Sequence, residues 1–496
     1  MRSLAAQALL VGLPLAVLGA VVAIVVTGAR LLSSSPLRGI QVMGAGLALG
    51  WTFAAAVVVA VRARPAPPEG VELCRQAQPA LWTAVDALAA AMDVRGPDRI
   101  VVTAQVNAGV TEVKGHRELA IGLPLVIALT RGQLLAVVAH ELGHFAHGDT
   151  RLTARTHRWA VLLEATVAQV DGRLLRRLLS AYADAYLRLA RSAGRRQELA
   201  ADAWSARLAG PDDAVAALGA MEALGLAWAR VTGYYVPLAR SARRRPDVTS
   251  ALRHVLPRVT RALDRRAPVS GPARAAVPMF ASHPPTEERI ALLRAGGVAV
   301  DRSVDPAPAT ALLRGGENAL PALERVVVTT DDPAAPWDRV VERGAAVEAR
   351  ELLALVARAA RATVLPRPLT PGALLAHLGR GGGRELVAPL LAGLPPEAAE
   401  AAVPAALARV VAAAAHVSLA GAGRSRHVLD WSGPVVWWVT LDGRHWRPQD
   451  LRRLEDRIRH DPATVEELRH LLADAGADLD HVIEAGEPPA RQARAC

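Results

Sequence analysis

The chain has 496 residues, enough for a membrane anchor and two or three folded domains. Its net charge of +11, with arginine far outnumbering lysine, suits an anionic surface such as lipid headgroups or nucleic acid, although an Arg- and Ala-rich composition also follows from codon bias. The only cysteines are Cys74 and Cys496, which excludes a disulfide framework and a zinc-thiolate cluster and is compatible with a reducing compartment.

Leu4–Val26 is apolar apart from Gln7 and Pro14, and Gly39–Val61 is apolar apart mainly from Gln41 and Thr52. Each run can cross ~30 Å of hydrocarbon as a helix rising ~1.5 Å per residue, the form that satisfies its own backbone in lipid. The first run exceeds the ~7–15 apolar residues of a cleaved leader, and a second follows closely. Residues 1–63 therefore read as a transmembrane helical hairpin. Arg2, Arg62 and Arg64 on one side, against Arg30 and Arg38 in the connecting loop, lean by a small margin toward both ends inside. The expectation is a multi-pass protein of the cell membrane with everything after the hairpin in the cytoplasm.

Arg64-Pro65-Ala66-Pro67-Pro68 is a stiff exit that stops the helix. Val71–Met92 has helical spacing of apolar residues. Ile100–Val113, rich in valine and threonine, reads as β structure, with a turn at Lys114-Gly115-His116-Arg117 and a return strand over Glu118–Leu129. Thr130 is placed to cap the next helix, whose apolar run Leu134–Val138 leads into Ala-His-Glu-Leu-Gly-His-Phe-Ala-His-Gly-Asp at 139–149, with Gly148 as its stop.

His140 and His144 are four apart, so a helix projects both from one face about 6 Å apart along its axis. Two imidazoles so placed can reach one ion at ~2.0–2.1 Å. Glu141 lies to one side of that stripe, able to touch a water on the ion without ligating it, which is the position of a general base. A catalytic zinc takes three protein ligands and keeps one position open. His147 follows too closely on the same helix to complete a tetrahedron and reads as a helix-end histidine; Asp149 reads as an anchor of that end. Residues 151–230 are helical by pattern. Ala160–Val170 is interrupted by Glu164 and Gln169, too short and polar for a third span. In Arg195-Arg196-Gln197-Glu198-Leu199-Ala200-Ala201-Asp202, Glu198 and Asp202 are again four apart. Glu198 can supply the third ligand while Asp202 accepts the spare N–H of a ligand histidine.

The three blocks HELGHFAHGD, QELAADAWSA and SHPPTEERIALL (282–293) resemble, in residues and in order, the HtpX and CAAX prenyl protease family of membrane zinc metalloproteases, over roughly residues 70–295. That resemblance implies a gluzincin of zincin-type α+β fold, with one Zn2+ per chain held by His140, His144 and Glu198. It implies Glu141 as base, Asp202 as the acid behind the ligands, and a substrate-side edge strand at Asn107-Ala108. His283, before Pro284-Pro285, resembles a family histidine near the active site; it either donates to a developing oxyanion or caps the helix Thr286–Leu293. Arg289 reads as a structural partner of a carboxylate. The apolar spans that family members often carry between the second histidine and the glutamate are missing here, which favours a hairpin-anchored soluble domain over a closed intramembrane chamber.

Residues 240–274 hold ten arginines against Asp247 and Asp264, suited either to anionic lipid headgroups or to a solvated basic loop over the cleft. Aromatic residues make only 3% of the chain and are missing from that run, so no nucleic-acid partner is expected. Asp301–Thr310 looks like a linker. The Gly379–Arg384 run lacks a following Lys-Ser/Thr and reads as a flexible connector rather than a phosphate loop. Val435–Trp446 resembles a hairpin turning at Asp442-Gly443, with Trp431, Trp437, Trp438 and Trp446 around a small core or an exposed partner face. The expected protein is mainly α with a small β-sheet: anchor 1–63, metalloprotease domain 64–300, linker 301–325 and a mostly helical domain 326–496. It would bind polypeptide substrates at a lipid bilayer, as a quality-control endopeptidase, as a signalling protease cutting one regulator, or as a non-catalytic scaffold.

Overall fold

The computed structural model describes residues 18–62, 69–113, 115–146, 195, 197–265, 285–295, 304–359, 368–429, 431, 436–441, 444–445, 457 and 464–483. His147, Gly148, Asp149, residues 151–194, His283 and Trp446 lie outside them, as do the side chains of Trp437 and Trp438. The chain divides into two compact units, Met1–Gly225 with Ala275–Val327 and Leu226–Arg274 with Val328–Cys496.

The first unit opens with helices α1 (Leu18–Leu31) and α2 (Pro36–Arg62). Glycines let the two approach closely: a Cβ on Gly28 would meet Met43 Cγ at 2.6 Å, one on Gly46 Ile24 Cγ2 at 2.9 Å, and one on Gly50 Val21 Cγ1 at 3.3 Å. As the α1 partner moves toward its start the α2 partner moves toward its end, so the pair is an antiparallel hairpin. Leu18, Val22, Leu37, Ile40, Leu47 and Trp51 stand exposed on it. The helical stretches found long and apolar enough to cross a membrane among the described residues are Pro211–Ser241 and Pro396–Gly421, yet about half of each is buried inside the protein, as in core helices; α1 is a shorter apolar helix.

A four-stranded mixed sheet follows, in the order β1-β2-β4-β3. Val71–Met92 is not one helix: Val71–Glu72 is β1, antiparallel to β2, and helix α3 begins only at Pro79 and runs to Ala91, because proline's fixed φ suits a first helical turn. The β region 100–113 is two strands, β2 (Arg99–Thr103) and β3 (Ala108–Val113), both paired to β4 (His116–Gly122), β2 in parallel and β3 as the expected hairpin. The return strand stops at Gly122, where any Cβ would strike the Gln105 and Asn107 carbonyls, and Pro124 starts the short helix α4 (Leu123–Ala128).

Helix α5 (Arg131–Ala146) buries Leu134, Val138, Leu142 and Phe145. The expected cap is present in reciprocal form: the Gln133 N–H donates to Thr130 Oγ1 and the Thr130 N–H to Gln133 Oε1, each at 3.2 Å. Helix α6 (197–209), the start of α7 (Pro211–Arg230) and α10 (Thr286–Ala295) surround α5; Ala136, Ala206, Ala214, Ala217 and Leu293 form a core of mostly small side chains that lets them pack closely. Part of the expected linker 301–325 is also ordered here. Arg131 N–H donates to Ala307 C=O, Ala309 N–H to Leu129 C=O, and Ala309 and Leu312, with Leu320 and Leu323 of the short helix α11 (Leu320–Leu323), are buried. Pro308 is extended there and bridges to Thr130, so this part of the segment is a paired strap instead of a linker.

In the second unit, a π-helical turn Val231–Tyr235 leads into α8 (Val236–Ser241) and then α9 (Val248–Asp264). The described part of the basic run is thus two helices joined by a short turn over residues 242–247, which carries Arg243, Arg244 and Arg245. Tyr235, Trp337 and Trp431 pack ring to ring, with His254 stacked on Trp431. Helices α12 (Trp337–Ala359), α13 (Pro371–Gly379), α14 (Gly383–Leu391), α15 (Pro396–Gly421) and α16 (Thr464–Asp474) share a Leu/Val/Ala core. The glycine run connects α13 to α14 as expected, in a hydrogen-bonded helix end. Gly381 takes φ +84° and the Gly382 N–H closes on His377 C=O, so it ends α13. Strands β5 (Ser425–Val428), β6 (Val436–Leu441) and β7 (Arg444–His445) form a three-stranded antiparallel sheet that contains the expected hairpin.

Candidate metal centre

Helices α5 and α6 meet at Gly143, where a Cβ would lie 3.2 Å from Ala201 Cα and 3.4 Å from Trp204 Cδ1. Glycine inside a helix costs about 1 kcal/mol against alanine, and the close crossing is what offsets it. Ser205 Oγ–H donates to the Ala136 carbonyl at 2.8 Å and ties the two helices together.

That crossing aims Glu198, itself buried, at both histidines. Its Oε2 lies 3.5 Å from His140 Nε2 and its Oε1 3.8 Å from His144 Nε2. The imidazole planes stand at 88° with centroids 5.0 Å apart. One ligand atom from each of the three residues lies within 4.8 Å of the others. Bonds of about 2.0–2.2 Å to a tetrahedral ion separate its ligands by roughly 3.3–3.6 Å. Two imidazole nitrogens and a carboxylate oxygen so spaced fit a borderline divalent metal.

Behind them, His140 Nδ1 is 3.0 Å from Asp202 Oδ1. In the neutral ring that bond puts the proton on Nδ1 and leaves the Nε2 lone pair facing Glu198. Arg289, reaching in from α10, grips Asp202 with both prongs, Nε to Oδ2 at 2.8 Å and Nη2 to Oδ1 at 2.5 Å, and stands 3.6 Å from Glu198 Oε2. Glu141 is half-buried beside His140.

The electrostatics favour positive charge at this point. Burial pushes the His140 pKa down, but hydrogen bonds to Asp202 and Glu198, with the nearby Glu141 charge, outweigh it and raise the value to about 9. Burial pushes Asp202 up, yet Arg289 and His140 hold it below the usual carboxylate range. Arg289 is raised despite burial, by Asp202 first and then by Glu198 and Glu141.

The structure thus brings together His140, Glu141, His144, Glu198 and Asp202. Asn107 is exposed and directly precedes β3; Ala108 opens that strand and is buried. β3 is the outer strand of the sheet and packs on α5. Gly143 and Ser205 were not singled out from sequence. A glycine between the two candidate ligand histidines on an otherwise good helix was a readable signal for a close crossing; nothing in the sequence marked Ser205.

Residues 75–296 match the model of peptidase family M48. No curated protein and no solved structure matches. The matched region is a metallopeptidase domain of that family.

Proposed function

We propose that this M48 metallopeptidase domain is a zinc-dependent endopeptidase carried on a membrane hairpin. His140, His144 and Glu198 would hold the ion, one per chain, and Asp202 and Arg289 would fix their orientation. The observation that carries this reading is the convergence of both Nε2 atoms on Glu198 while His140 Nδ1 is tied to Asp202. Zinc, when bound, supplies a Lewis acid for the scissile carbonyl and makes a neighbouring water acidic enough to attack it.

The chain's own residues do the rest. Glu141 accepts the proton of the attacking water and returns it to the leaving amine. An extended substrate adds to the outer strand β3 beside Asn107 and Ala108, where the backbone of an edge strand can accept a partner. His283 would donate to the developing oxyanion. Replacing Glu141 by Gln should abolish peptide cleavage while zinc stays bound at one equivalent. Full activity of E141Q would refute its role as base.

The exposed apolar side chains of α1 and α2 support insertion of the hairpin in the cell membrane, with the peptidase domain on the cytoplasmic side. Damaged or misfolded membrane proteins would then be its substrates. A broad set of such clients accumulating in cells that carry E141Q supports quality control. Accumulation of a single uncut regulator would instead make it a signalling protease. Zinc binding without hydrolysis of casein by the wild-type chain would leave a non-catalytic scaffold.

A further inference from the structure

Residues 240–265 of the second unit carry eight arginines and two aspartates. One of the aspartates is already engaged, since Asp247 accepts the Ser250 N–H at 2.8 Å as the N-cap of α9. α9 has two sharply different faces. Val248, Ala251, Leu252, Val255 and Val259 are buried, whereas Arg261 and Arg265 are exposed. Arg261 donates through Nε to the Pro257 carbonyl at 3.2 Å, which lays its stem along the helix and leaves its other N–H groups outward. None of the ion pairs found among the described residues uses Arg243, Arg245, Arg261 or Arg265.

A second observation comes from the backbone. The turn after α8 closes with the Arg243 N–H on Arg240 C=O and the Arg244 N–H on Ala239 C=O, both at 3.0 Å, and Arg243 sits at φ +50°. Glycine is the residue that fits such a helix end without strain. The Arg243 backbone is bonded on both sides, its C=O accepting Arg244 Nη1 at 2.8 Å, but its exposed guanidinium takes part in none of the ion pairs found among the described residues. Local strain kept at a charged surface position points to a use for the charge.

We propose that the turn Arg240–Arg245 and the arginine face of α9 dock on the anionic phospholipid headgroups of a bilayer. Charge complementarity and the apolar hairpin on the same chain favour lipid over nucleic acid. One face of the His254 ring is covered by Trp431, and no Phe, Tyr or Trp lies in residues 240–274 to stack a base. This inference rests in part on the anchored reading above, and its test separates the two.

The full chain, with Cys74 and Cys496 replaced by Ser and a fluorophore on T260C, is reconstituted in nanodiscs of phosphatidylcholine alone or with about one third phosphatidylglycerol, each with a headgroup-nitroxide lipid as quencher. Docking predicts stronger quenching in the anionic discs, reversed by salt. It also predicts apparent affinity for anionic lipid falling about fivefold for each of R243G, R261Q and R265Q. R243G should melt no lower than the parent, so its loss of docking cannot be a folding defect. Equal quenching in both discs, or retention of a short RNA with no dependence on lipid charge, overturns the proposal. Failure of the chain to co-elute with discs would sink the hairpin reading instead; the same label then reports docking on added vesicles.

Discussion

Two histidines on helices of this protein, His140 half-buried and His416 buried, have opposite surroundings. His140 on α5 lies among Glu198, Asp202 and Glu141, which raise its pKa to about 9. His416 on α15 is packed in the Ala/Val/Leu core of the second unit; burial, with Arg350 next, lowers its pKa to about 4, and its Nδ1 lies 3.4 Å from Ser425 Oγ. The same side chain is a cation site in one unit and a neutral filler in the other. The neighbouring charges decide, and only the first arrangement invites a metal.

The sharpest way to break that contrast is to remove Arg289. In R289M the Asp202 carboxylate stays buried without its two-pronged partner. Losing one side of a buried pair costs about 3–5 kcal/mol. Denaturant unfolding of the chelator-treated chain, followed by hydrogen exchange on α5 and α6, should show that loss in the first unit alone. R289K restores charge without the fork and should fall between. A wild-type melting profile for R289M would mean the network is not what holds α10 to the metal helix.

The two histidines should also respond to pH with opposite sign. The folded pKa of His140 exceeds its unfolded value, so in the metal-free chain its contribution is complete below about 6.5 and is lost as pH rises through about 9. His416 has a folded pKa below its unfolded value. Its contribution is complete above about 6.5 and is lost as pH falls toward about 4, a swing of about 3 kcal/mol. After correction for intrinsic exchange, amides of α5 should open more readily on the alkaline side and those of α15 on the acid side. H416L should erase the acid limb. Zinc should reverse the alkaline limb, because the ion replaces the proton on His140 and binds more tightly as pH rises. Parallel slopes in the two units would remove the distinction between them.

Asp202 gives a smaller effect, read in the metal rather than in folding. D202N keeps the shape but can present its N–H2 to His140 Nδ1, favouring the wrong tautomer. Loss of such a supporting partner weakens metal binding about 10–100-fold. Competition against a chromogenic chelator measures it. An unchanged affinity would show that the 3.0 Å contact does not orient the ring.

Much of the first unit could be read along the chain because its signals are local. The His140–His144 spacing, the Thr130 cap and the β3–β4 turn each involve residues a few positions apart. What failed was set by partners far away. β1 is two residues long and exists because β2 pairs with it. The strap 304–313 read as linker because its pairing partners, Leu129 and Arg131, lie far back in the sequence. Arg289 meets Asp202 across 87 positions, so sequence could assign it a carboxylate but not which one. The second unit gave fewer signals still. An Ala/Leu/Arg helical pattern states that helices form but not how they pack, and the glycine run at 379–384 declared itself a helix end only once His377 was seen accepting its N–H groups.

The smallest expected effect tests whether the two units share the same local rules. Thr130 caps α5 and Thr370 caps α13, where the Ala373 N–H donates to Thr370 Oγ1 at 3.1 Å. Removing either hydroxyl should cost about 1 kcal/mol. T130A and T370A should therefore match, and serine at either position should recover most of the loss. The difference lies in zinc. The proposed ligands His140 and His144 sit in the second half of α5, two or more turns beyond its cap, so fraying of the first turn leaves them in place. T130A should lower stability equally with and without zinc and leave zinc affinity unaltered, since the ion binds the folded form of both variants alike. Should T130A weaken zinc binding while T370A does not, α5 moves as one rigid lever from cap to metal, and the metal centre depends on the whole helix rather than on its crossing with α6 at Gly143.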